Sequence, residues 1–504
     1  MSDRAALLAE ICANPDDDTA RLVFADWLDE NGEGKRAAYI RAAVQLNRLE
    51  EADTPAATMQ SFLTDMRLLN RENKLYDRVV DWSQIDPDLA AIHAAEKAQK
   101  AVRLPRQAVS ENLPKIAGVK FDVEDVGGFY NEVVVRDPAA FVANAEAIFR
   151  AAPIYYLNFT DQTVTASQMR EFAATGYLAR VRWLTFANIE PEAIRVLGNH
   201  PDTAGVTMLE MYCTDRPSEL IEQFVAGPHW TGLNQLIVSG SDVINGGDPD
   251  RDAAQILRCP QLSRLQQLAL FNNELGDDAA RVIATCGLTE LRTLDLSLNY
   301  IGAEGAAALA ESKLLPKLRY LDFSNNAECP TAGTFRLIVS PKLQSLTALR
   351  LYGCDYETNG VDVAALAAPS RGPTLRALEL ECGSLKSRAM AAFGKCPAVQ
   401  GLWFLSLLGG GVNDAGIRAL TQSEGFKQLT ILDVSVNKIT ARGAEALAAW
   451  PVPLQALNLS GNTINVKGAK ALIASEHRQG LKRLLVTGRG EAHLRKHFGK
   501  RVVR

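Results

Sequence analysis

Apolar residues recur along the chain in one spacing, at relative positions 1, 4 and 6, followed by Asn or Cys at position 9. The clearest copy consists of Leu265, Leu268, Leu270 and Asn273. Alternation between positions 4 and 6 is the periodicity of a β-strand with both side chains on one face. The position-9 amide comes after the strand, where it can satisfy backbone groups of a turn. The pattern therefore predicts a short strand that leads into a turn.

Thirteen copies of this pattern follow one another, with starts 24–32 residues apart. The copies start at Ile154, Val181, Val206, Leu233, Leu265, Leu291, Leu318, Leu346, Leu375, Val399, Leu429, Leu454 and Leu481. In six of them position 9 is filled by Asn273, Asn299, Asn326, Cys354, Asn437 or Asn462, which we expect to form a structural ladder. Units of this size cannot bury an apolar face alone, so the copies are predicted to stack.

Each strand pattern is followed by a helical stretch rich in Ala and Gly, such as 301–310 or 439–448. Strand, turn and helix in a period of 24–32 residues resemble the leucine-rich repeat, in its long ribonuclease-inhibitor type. That resemblance implies an α/β solenoid shaped as a horseshoe, with parallel strands on the concave face and helices on the convex face. It covers residues 154–490.

The N-terminal region has a different pattern, which predicts helices over 5–12, 19–29 and 35–49. The string from Leu8 through Asn14-Pro15 to Trp27-Leu28 is similar to the repeat-companion domain found at the front of bacterial leucine-rich-repeat proteins. We therefore expect a small helical domain over residues 1–50.

Three further segments follow from the pattern. Residues 51–120 are predicted to be a helical and linker region, with helices over 59–78 and 89–103. Residues 121–153 are expected to cap the array, because an open repeat end exposes apolar surface and a strand edge. The basic segment 491–504 is expected to close the other end.

Composition and charge exclude several classes of protein. The 504 residues are 47% hydrophobic and 22% charged with a net charge of −5, which is typical of a globular protein and argues against nucleic acid as a ligand. The sequence contains no run of about 18 apolar residues, so no membrane span is predicted. Eight cysteines without a CxxC pair indicate reduced thiols, and the chain is predicted to be cytoplasmic.

Motifs for catalysis, cofactors and metals are incomplete. Gly409-Gly-Gly411 lacks the Lys-Ser/Thr that would complete a phosphate loop. His493 and His497 have helical metal-ligand spacing but only Glu491 nearby as a third ligand. Cys213-Thr-Asp215 has the spacing of bacterial ubiquitin ligases of this repeat class, but lies inside a repeat. We predict no catalytic site, no cofactor and no metal.

Positions 3, 5 and 7 of each copy are expected on the concave side of the strands, which we call the inner face. Seven of these 39 positions, or 18%, are aromatic, whereas aromatic residues make up 7% of the whole chain. Acids outnumber bases at these positions by six to two. Aromatic residues amid charge are typical of protein interfaces. The predicted partner-binding residues are Glu210, Tyr212, Phe271, Asp295, Tyr320, Asp322, Tyr352, Glu379, Trp403 and Asp433.

The sequence therefore predicts a non-catalytic interaction or scaffold protein that binds a protein with a basic surface. An alternative is a regulator of an enzyme, either an inhibitor of a basic enzyme or a GTPase-activating type. The second would need a presented Arg, and Arg350 is the candidate in the middle of the inner face. The partner, the pathway and the oligomeric state are left open.

Overall fold

Two compact units make up the chain in a computed structural model. It describes residues 3–503 except 16, 51, 53, 61, 63–86, 102–112, 123–128, 130, 214–216, 241–247, 314, 327, 355–373 and 382–386. The first unit comprises residues 1–57 and 88–273, and the second comprises 58–87 and 274–504.

The first unit begins with three helices, Asp3–Ala13, Asp18–Glu30 and Gly34–Glu50. The second helix starts where the Asp17 side chain accepts a hydrogen bond from the Thr19 amide, as an N-cap residue does. These helices share an apolar core that contains Phe24, Leu28 and Ile40 and extends to Phe129. Helical residues 55–60 and the helix Pro87–Ala101 follow, while most of the helix predicted over 59–78 lies outside the described residues.

Seven strands of the first unit pair in chain order, antiparallel between the first two and parallel thereafter. They are β1 Val119–Asp122, β2 Glu132–Val135, β3 Tyr156–Phe159, β4 Trp183–Phe186, β5 Met208–Cys213, β6 Gln235–Gly240 and β7 Gln267–Ala269. The intervening helices are Pro138–Ala143, Ala145–Ala151, Ala166–Ala174, Pro191–Gly198, Pro217–Val225 and Pro249–Leu257, with 3₁₀ turns at Tyr177–Arg180, Pro201–Gly205, Trp230–Gly232 and Pro260–Leu262.

The second unit continues the same strand-and-helix alternation. Its strands are β8 Thr293–Asp295, β9 Tyr320–Asp322, β10 Ala348–Leu351, β11 Ala377–Leu380, β12 Phe404–Ser406, β13 Ile431–Asp433, β14 Ala456–Asn458, β15 Arg483–Leu485 and β16 Val502–Val503, all parallel. Its helices are Asp277–Thr285, Ala303–Ala310, Thr331–Ile338, Ser387–Phe393, Asp414–Thr421, Ala441–Ala449, Val466–Ala474 and Glu491–Phe498, with 3₁₀ turns at Pro397–Val399, Glu424–Phe426, Glu476–Arg478 and Gly499–Arg501.

A leucine at position 4 occupies the same register in adjacent strands of each unit, from β3 to β7 and from β8 to β15. Within the first unit Leu157 pairs with Leu184, and Leu184 with Leu209. Within the second unit Leu294 pairs with Leu321, and the row continues to Leu484 in β15. Each buried leucine stabilises the fold by about 2 kcal/mol. The predicted fold class, an α/β leucine-rich-repeat solenoid with helices before the array, is confirmed.

Both ends of the array are covered by elements that are not copies of the repeat. Next to β3, the helix residues Phe141 and Phe149 pack against the repeat residues Phe159 and Phe172. At the other end, β16 pairs with β15, and Phe498 of the last helix is buried. These segments bury side chains and strand edges that an open end would expose.

The glycines of the repeat helices allow neighbouring repeats to approach closely. A Cβ on Gly305 would lie 2.6 Å from an oxygen of Asp277 and 2.9 Å from Ala280, both on the preceding helix. The Gly305 amide donates a hydrogen bond of 2.8 Å to that same Asp277 carboxylate. Likewise, the Gly443 amide donates to the Asp414 carboxylate, and a Cβ on Gly443 would lie too close to that carboxylate. The sequence pattern attributed these glycines to packing on the strand layer, whereas the closest contacts include the adjacent helix.

The turn after the strand differs between early and late copies. Position 8 has a left-handed backbone in eight copies, those of Asn272, Leu298, Asn325, Gly353, Gly409, Val436, Gly461 and Gly488. In β5 and β6, by contrast, the strand continues through position 8 to Cys213 and Gly240. The inner face is therefore longer along the strand in these two copies, and Tyr212 lies on that extension.

Candidate protein-binding face

Strand pairing corrects the start of one repeat. The sequence pattern placed the tenth copy at Val399, but Leu405 pairs with Leu378 and with Leu432, so this copy starts at Leu402. Val399 lies three residues before Leu402, so the spacing of apolar residues fitted both starts. Trp403 consequently occupies position 2 rather than an inner-face position, and it is 4% exposed.

Phe404 takes the inner-face position 3 in that copy. The position-3 row of the second unit therefore reads Tyr320, Ala348, Ala377 and Phe404 on four adjacent strands. Two aromatic side chains thus flank two alanines. Adjacent strands lie about 4.8 Å apart, so the aromatic residues are separated by roughly 14 Å.

The side chain of Phe62, from outside the repeats, lies in this row. Its ring centroid is 5.6 Å from that of Tyr320 and 5.5 Å from that of Phe404, with edge-to-face geometry in both pairs. Phe62 is fully buried, and Tyr320 is only 1% exposed. Because Tyr320 is part of a packed core, replacing it by Ala will also weaken folding, unlike the replacement of a free surface anchor.

Position 5 of the same strands carries a buried ion cluster. Arg350 donates from Nη1 to Asp322 and from Nε to Glu379, the second bond at 2.8 Å. Burial by itself lowers the pKa of Arg350, but the charges of Asp322 and Glu379 more than offset it, so that the pKa lies above its usual range. Burial raises the pKa of Glu379, although Arg350 acts in the opposite direction. Arg350 is therefore held between two carboxylates and is not presented to a phosphate, as a GTPase-activating role would require.

The aspartates at position 5 also have a local structural role. Asp295, Asp322 and Asp433 each accept a hydrogen bond of 2.8–2.9 Å from the amide of the residue two positions later. Asp433 is buried and also accepts from Asn458 Nδ2 at 2.9 Å. Burial raises its pKa, while the hydrogen bonds lower it. These carboxylates shape the turn after the strand, and only Asp295 among them is partly exposed.

The inner face of the first unit is more accessible and is organised by a chain of hydrogen bonds. Tyr156 Oη lies 3.1 Å from Thr185 Oγ1, which donates to Glu210 at 2.8 Å. Tyr212 Oη donates to the other oxygen of Glu210, also at 2.8 Å. Glu210 is half-buried and Tyr212 is 38% exposed. Burial, together with the Glu210 charge and hydrogen bond, raises the pKa of Tyr212 to about 12.

The remaining predicted inner-face residues are intermediate in their exposure to solvent. Phe271 in the first unit and Tyr352 in the second are half-buried. Trp183, at position 3 of β4, is also half-buried and packs edge-on against Tyr155 and Tyr156. The predicted partner-binding set is therefore divided by exposure, with Tyr320, Asp322, Glu379, Trp403 and Asp433 buried.

The position-9 side chains bond to the backbone within and between copies. Asn326 Oδ1 accepts from the Ile301 amide at 3.0 Å, while Nδ2 donates to the carbonyls of Leu296 and Phe323. The others make related bonds, namely Asn273, Asn299, Cys354, Asn437 and Asn462. Each amide thus replaces backbone partners where the sheet ladder ends.

Sequence reasoning missed Phe404 at position 3 and Phe62, which packs against that row. Phe404 was hidden by the ambiguous repeat start. Phe62 has no periodic signal, because it belongs to a segment that precedes the array by many residues. The two position-3 alanines, Ala348 and Ala377, were a visible signal, since small residues at an inner-face position leave space.

The other motifs considered in the sequence do not form a site among the described residues. Gly409 is the left-handed residue of a position-8 turn, with φ of 68°. His493 and His497 are exposed on the last helix, and the described part of the chain contains no group of three or more His, Cys, Asp or Glu residues placed to bind a metal. Thr214 and Asp215 of the Cys-x-Asp motif lie outside the described residues. Among the helices described, none is both long and apolar enough to span a membrane.

The strand register and the Asn ladder are those of leucine-rich repeats. A family model described as Leucine Rich repeat matches residues 288–310, 428–448 and 453–472, which surround Asn299, Asn437 and Asn462. The chain therefore contains leucine-rich repeats. No curated protein matches the chain significantly.

Three solved structures that match the chain have low sequence identity and TM-scores below 0.4. A TLR13 chain from a complex with ssRNA13 is 17% identical, with a TM-score of 0.38, over 71% of this chain and 49% of that chain, about half its length. An internalin (inlF) from Listeria monocytogenes is 16% identical, with a TM-score of 0.35, over 62% and 82% of the two chains. A chain of the yeast Rad7–Elc1 complex is 15% identical, with a TM-score of 0.36, over 65% and 80%.

Proposed function

We propose that this chain is a non-catalytic interaction protein that binds a protein partner on the inner face of its first unit. The observation that carries the proposal is the hydrogen-bonded chain from Tyr156 through Thr185 and Glu210 to Tyr212. It fixes the aromatic ring of Tyr212 and the carboxylate of Glu210, two residues apart on the same face of β5. Binding groups held in place before contact lose less conformational entropy when a partner binds.

The chemistry of this face favours a protein with basic groups. Tyr and Trp are enriched at interface hot spots, and Tyr212 and Trp183 both reach solvent here. Glu210 places a negative charge between them. The half-buried residue Phe271, in the same unit, is a further candidate for contact. Acids near aromatic anchors are complementary to Lys or Arg on a partner, and they increase the rate of association at low salt.

A cytoplasmic location in a bacterium belongs to the same proposal. The six cysteines whose side chains are described are free thiols, as expected in a reducing compartment. Burial raises the pKa of Cys12 to about 11, which keeps that thiol protonated and unreactive at neutral pH.

The test is affinity capture with the tagged full chain and its single variants. Proteins retained from the native cell extract by the wild-type chain are identified, and the affinity of the main partner is then measured. Tyr212→Ala should weaken binding about 30-fold, equivalent to about 2 kcal/mol for an anchor residue. Glu210→Gln should mainly slow association and reduce its dependence on salt.

Tyr300 provides the matched control, because it is a tyrosine 57% exposed at position 10, outside the inner face. Tyr300→Ala should leave binding unchanged. If Tyr300→Ala weakens binding as much as Tyr212→Ala does, or if neither has an effect, the inner face of the first unit is not the binding surface.

A further inference from the structure

The position-3 row of the second unit forms a notch, bounded by Tyr320 and Phe404 and floored by Ala348 and Ala377. The four residues lie in direct register on β9 to β12. An alanine side chain ends at Cβ, so two adjacent alanines leave space that the two flanking rings enclose. Among the described residues of this row, Thr293 on β8 lies directly outside the notch, next to Tyr320.

Phe62 fills the notch in a manner that resembles a bound ligand. Its ring meets both flanking rings edge-on at 5.5–5.6 Å, the arrangement that aromatic pairs prefer. The residues before it are also buried, namely Thr58, Met59 and Gln60, and residues 55–60 are helical. The occupant is therefore a short helical segment with one aromatic anchor, and it comes from a part of the chain that is not a repeat.

We propose that the notch is a binding site for a helical segment carrying a phenylalanine, and that residues 58–60 and Phe62 are its resident intramolecular ligand. The segment holds this part of the inner face closed. A partner that binds the second unit must supply an aromatic side chain of its own and displace Phe62. This extends the proposed function, on which it rests, by adding a second surface that is masked.

Covalent attachment explains why the resident segment occupies the notch in preference to a separate segment. A ligand on the same chain competes at an effective concentration on the order of millimolar when its connection is flexible and long enough. A separate segment of equal intrinsic affinity cannot displace it at ordinary concentrations. A partner therefore needs further contacts of its own in addition to the phenylalanine.

The first experiment fills the notch and follows Phe62 with chymotrypsin, which cleaves after phenylalanine. Ala377→Leu in the full chain should expel the ring and raise the rate of cleavage after Phe62 by about tenfold or more, since cleavage follows the open population. Thr293→Leu is the matched control, because it adds the same side chain at position 3 outside the notch. Circular dichroism verifies that the array remains folded in both variants.

The second experiment supplies the segment as a separate molecule. A fluorescent peptide with the sequence of residues 54–66 is titrated against the Phe62→Ala full chain, and binding is read by anisotropy. It should bind at least about tenfold more tightly to this variant than to the wild-type chain, whose notch is occupied. The same peptide with Phe62 replaced by Ala should not bind, and adding Ala377→Leu to the Phe62→Ala chain should abolish binding.

Two results would overturn the proposal. One is equal protection of Phe62 from chymotrypsin in the Ala377→Leu and wild-type chains. The other is peptide binding that is the same with and without its phenylalanine, or the same for wild-type and Phe62→Ala chains. Since Ala377→Leu could prevent folding, the peptide titration with Phe62→Ala decides in that case. Neither experiment uses Tyr212 or the captured partner, so failure of the proposed function would be seen separately.

Discussion

The inner faces of the two units carry similar residues in opposite environments. In the first unit, Glu210 and Tyr212 are joined by a hydrogen bond and reach solvent. In the second unit, Tyr320 is covered by Phe62, while Asp322 and Glu379 are buried on either side of Arg350. An aromatic-acidic pattern at positions 3, 5 and 7 therefore does not identify a free surface. Accessibility depends on segments outside the repeat, which the period does not describe.

The largest expected difference between the two faces is the loss of folding stability when a charged side chain is replaced. Arg350→Met leaves Asp322 and Glu379 buried without their cation, and should destabilise the fold by about 3–5 kcal/mol at neutral pH. Glu210→Gln, on the accessible face, should change stability by less than about 1 kcal/mol. Urea unfolding of the two variants measures both values. Equal, small losses would mean that the cluster is not buried in solution.

The pH dependence of the same variant sharpens this test. Burial raises the pKa of Glu379 in the folded chain, so the folded state binds more protons than the unfolded state, and its carboxyl costs stability as pH rises. Without Arg350, which lowers that pKa, the effect grows. The loss caused by Arg350→Met should therefore be smaller at about pH 5 than at about pH 7.5. A loss that does not vary with pH would contradict this assignment.

The Asn ladder should show the next largest contrast. Asn299→Ala removes the partners of the Leu275 amide and of buried carbonyls, and should cost about 1–3 kcal/mol. Asn273→Ala, at a half-buried position of the first unit, should cost less, because water can reach the groups left behind. Thermal unfolding compares the two. An unchanged melting temperature for Asn299→Ala would remove the structural role of the ladder.

Because the backbone at position 8 is strained, one substitution there should stabilise the fold, by less than the losses described above. Val436 has φ of 53° and is 60% exposed, and a β-branched residue in this conformation is strained. Val436→Gly should stabilise the fold by about 1 kcal/mol, after allowing for the greater freedom of glycine when unfolded. Gly461→Val is the converse control at the same turn position. It should destabilise, since its Cβ would lie 3.0 Å from Val436 Cα.

The smallest change should appear in the titration of Tyr212, measured from the absorbance of its phenolate. Glu210→Gln removes the negative charge that, after burial and together with the hydrogen bond, raises the pKa of Tyr212 to about 12. The pKa should fall toward its ordinary value, although burial, the main cause, remains. Tyr212→Phe identifies the signal by removing it. An unaltered pKa of Tyr212 in Glu210→Gln would show that the Glu210 charge does not lie next to the Tyr212 hydroxyl in solution.

Much of the array could be predicted from local pattern. Leu265, Leu268 and Asn273 already indicate a strand and its turn, because strand periodicity and turn chemistry operate over a few residues. Regular spacing then predicts stacking, and twelve of the thirteen predicted starts agree with the strand register. The exception at Val399 arose because two apolar residues three apart satisfy the same spacing. Hydrogen bonds to neighbouring strands select Leu402.

The sequence by itself determined the repeat, its strands and helices, the ladder and the inward direction of the leucines, since each depends on neighbours in the chain or on the adjacent copy. Only the tertiary structure decided which inner-face residues are accessible. Phe62 precedes Tyr320 and Phe404 by far more than one repeat, and no period relates them. Their contact depends on the fit of one ring between two others above two alanines, which exists only after the strands have stacked.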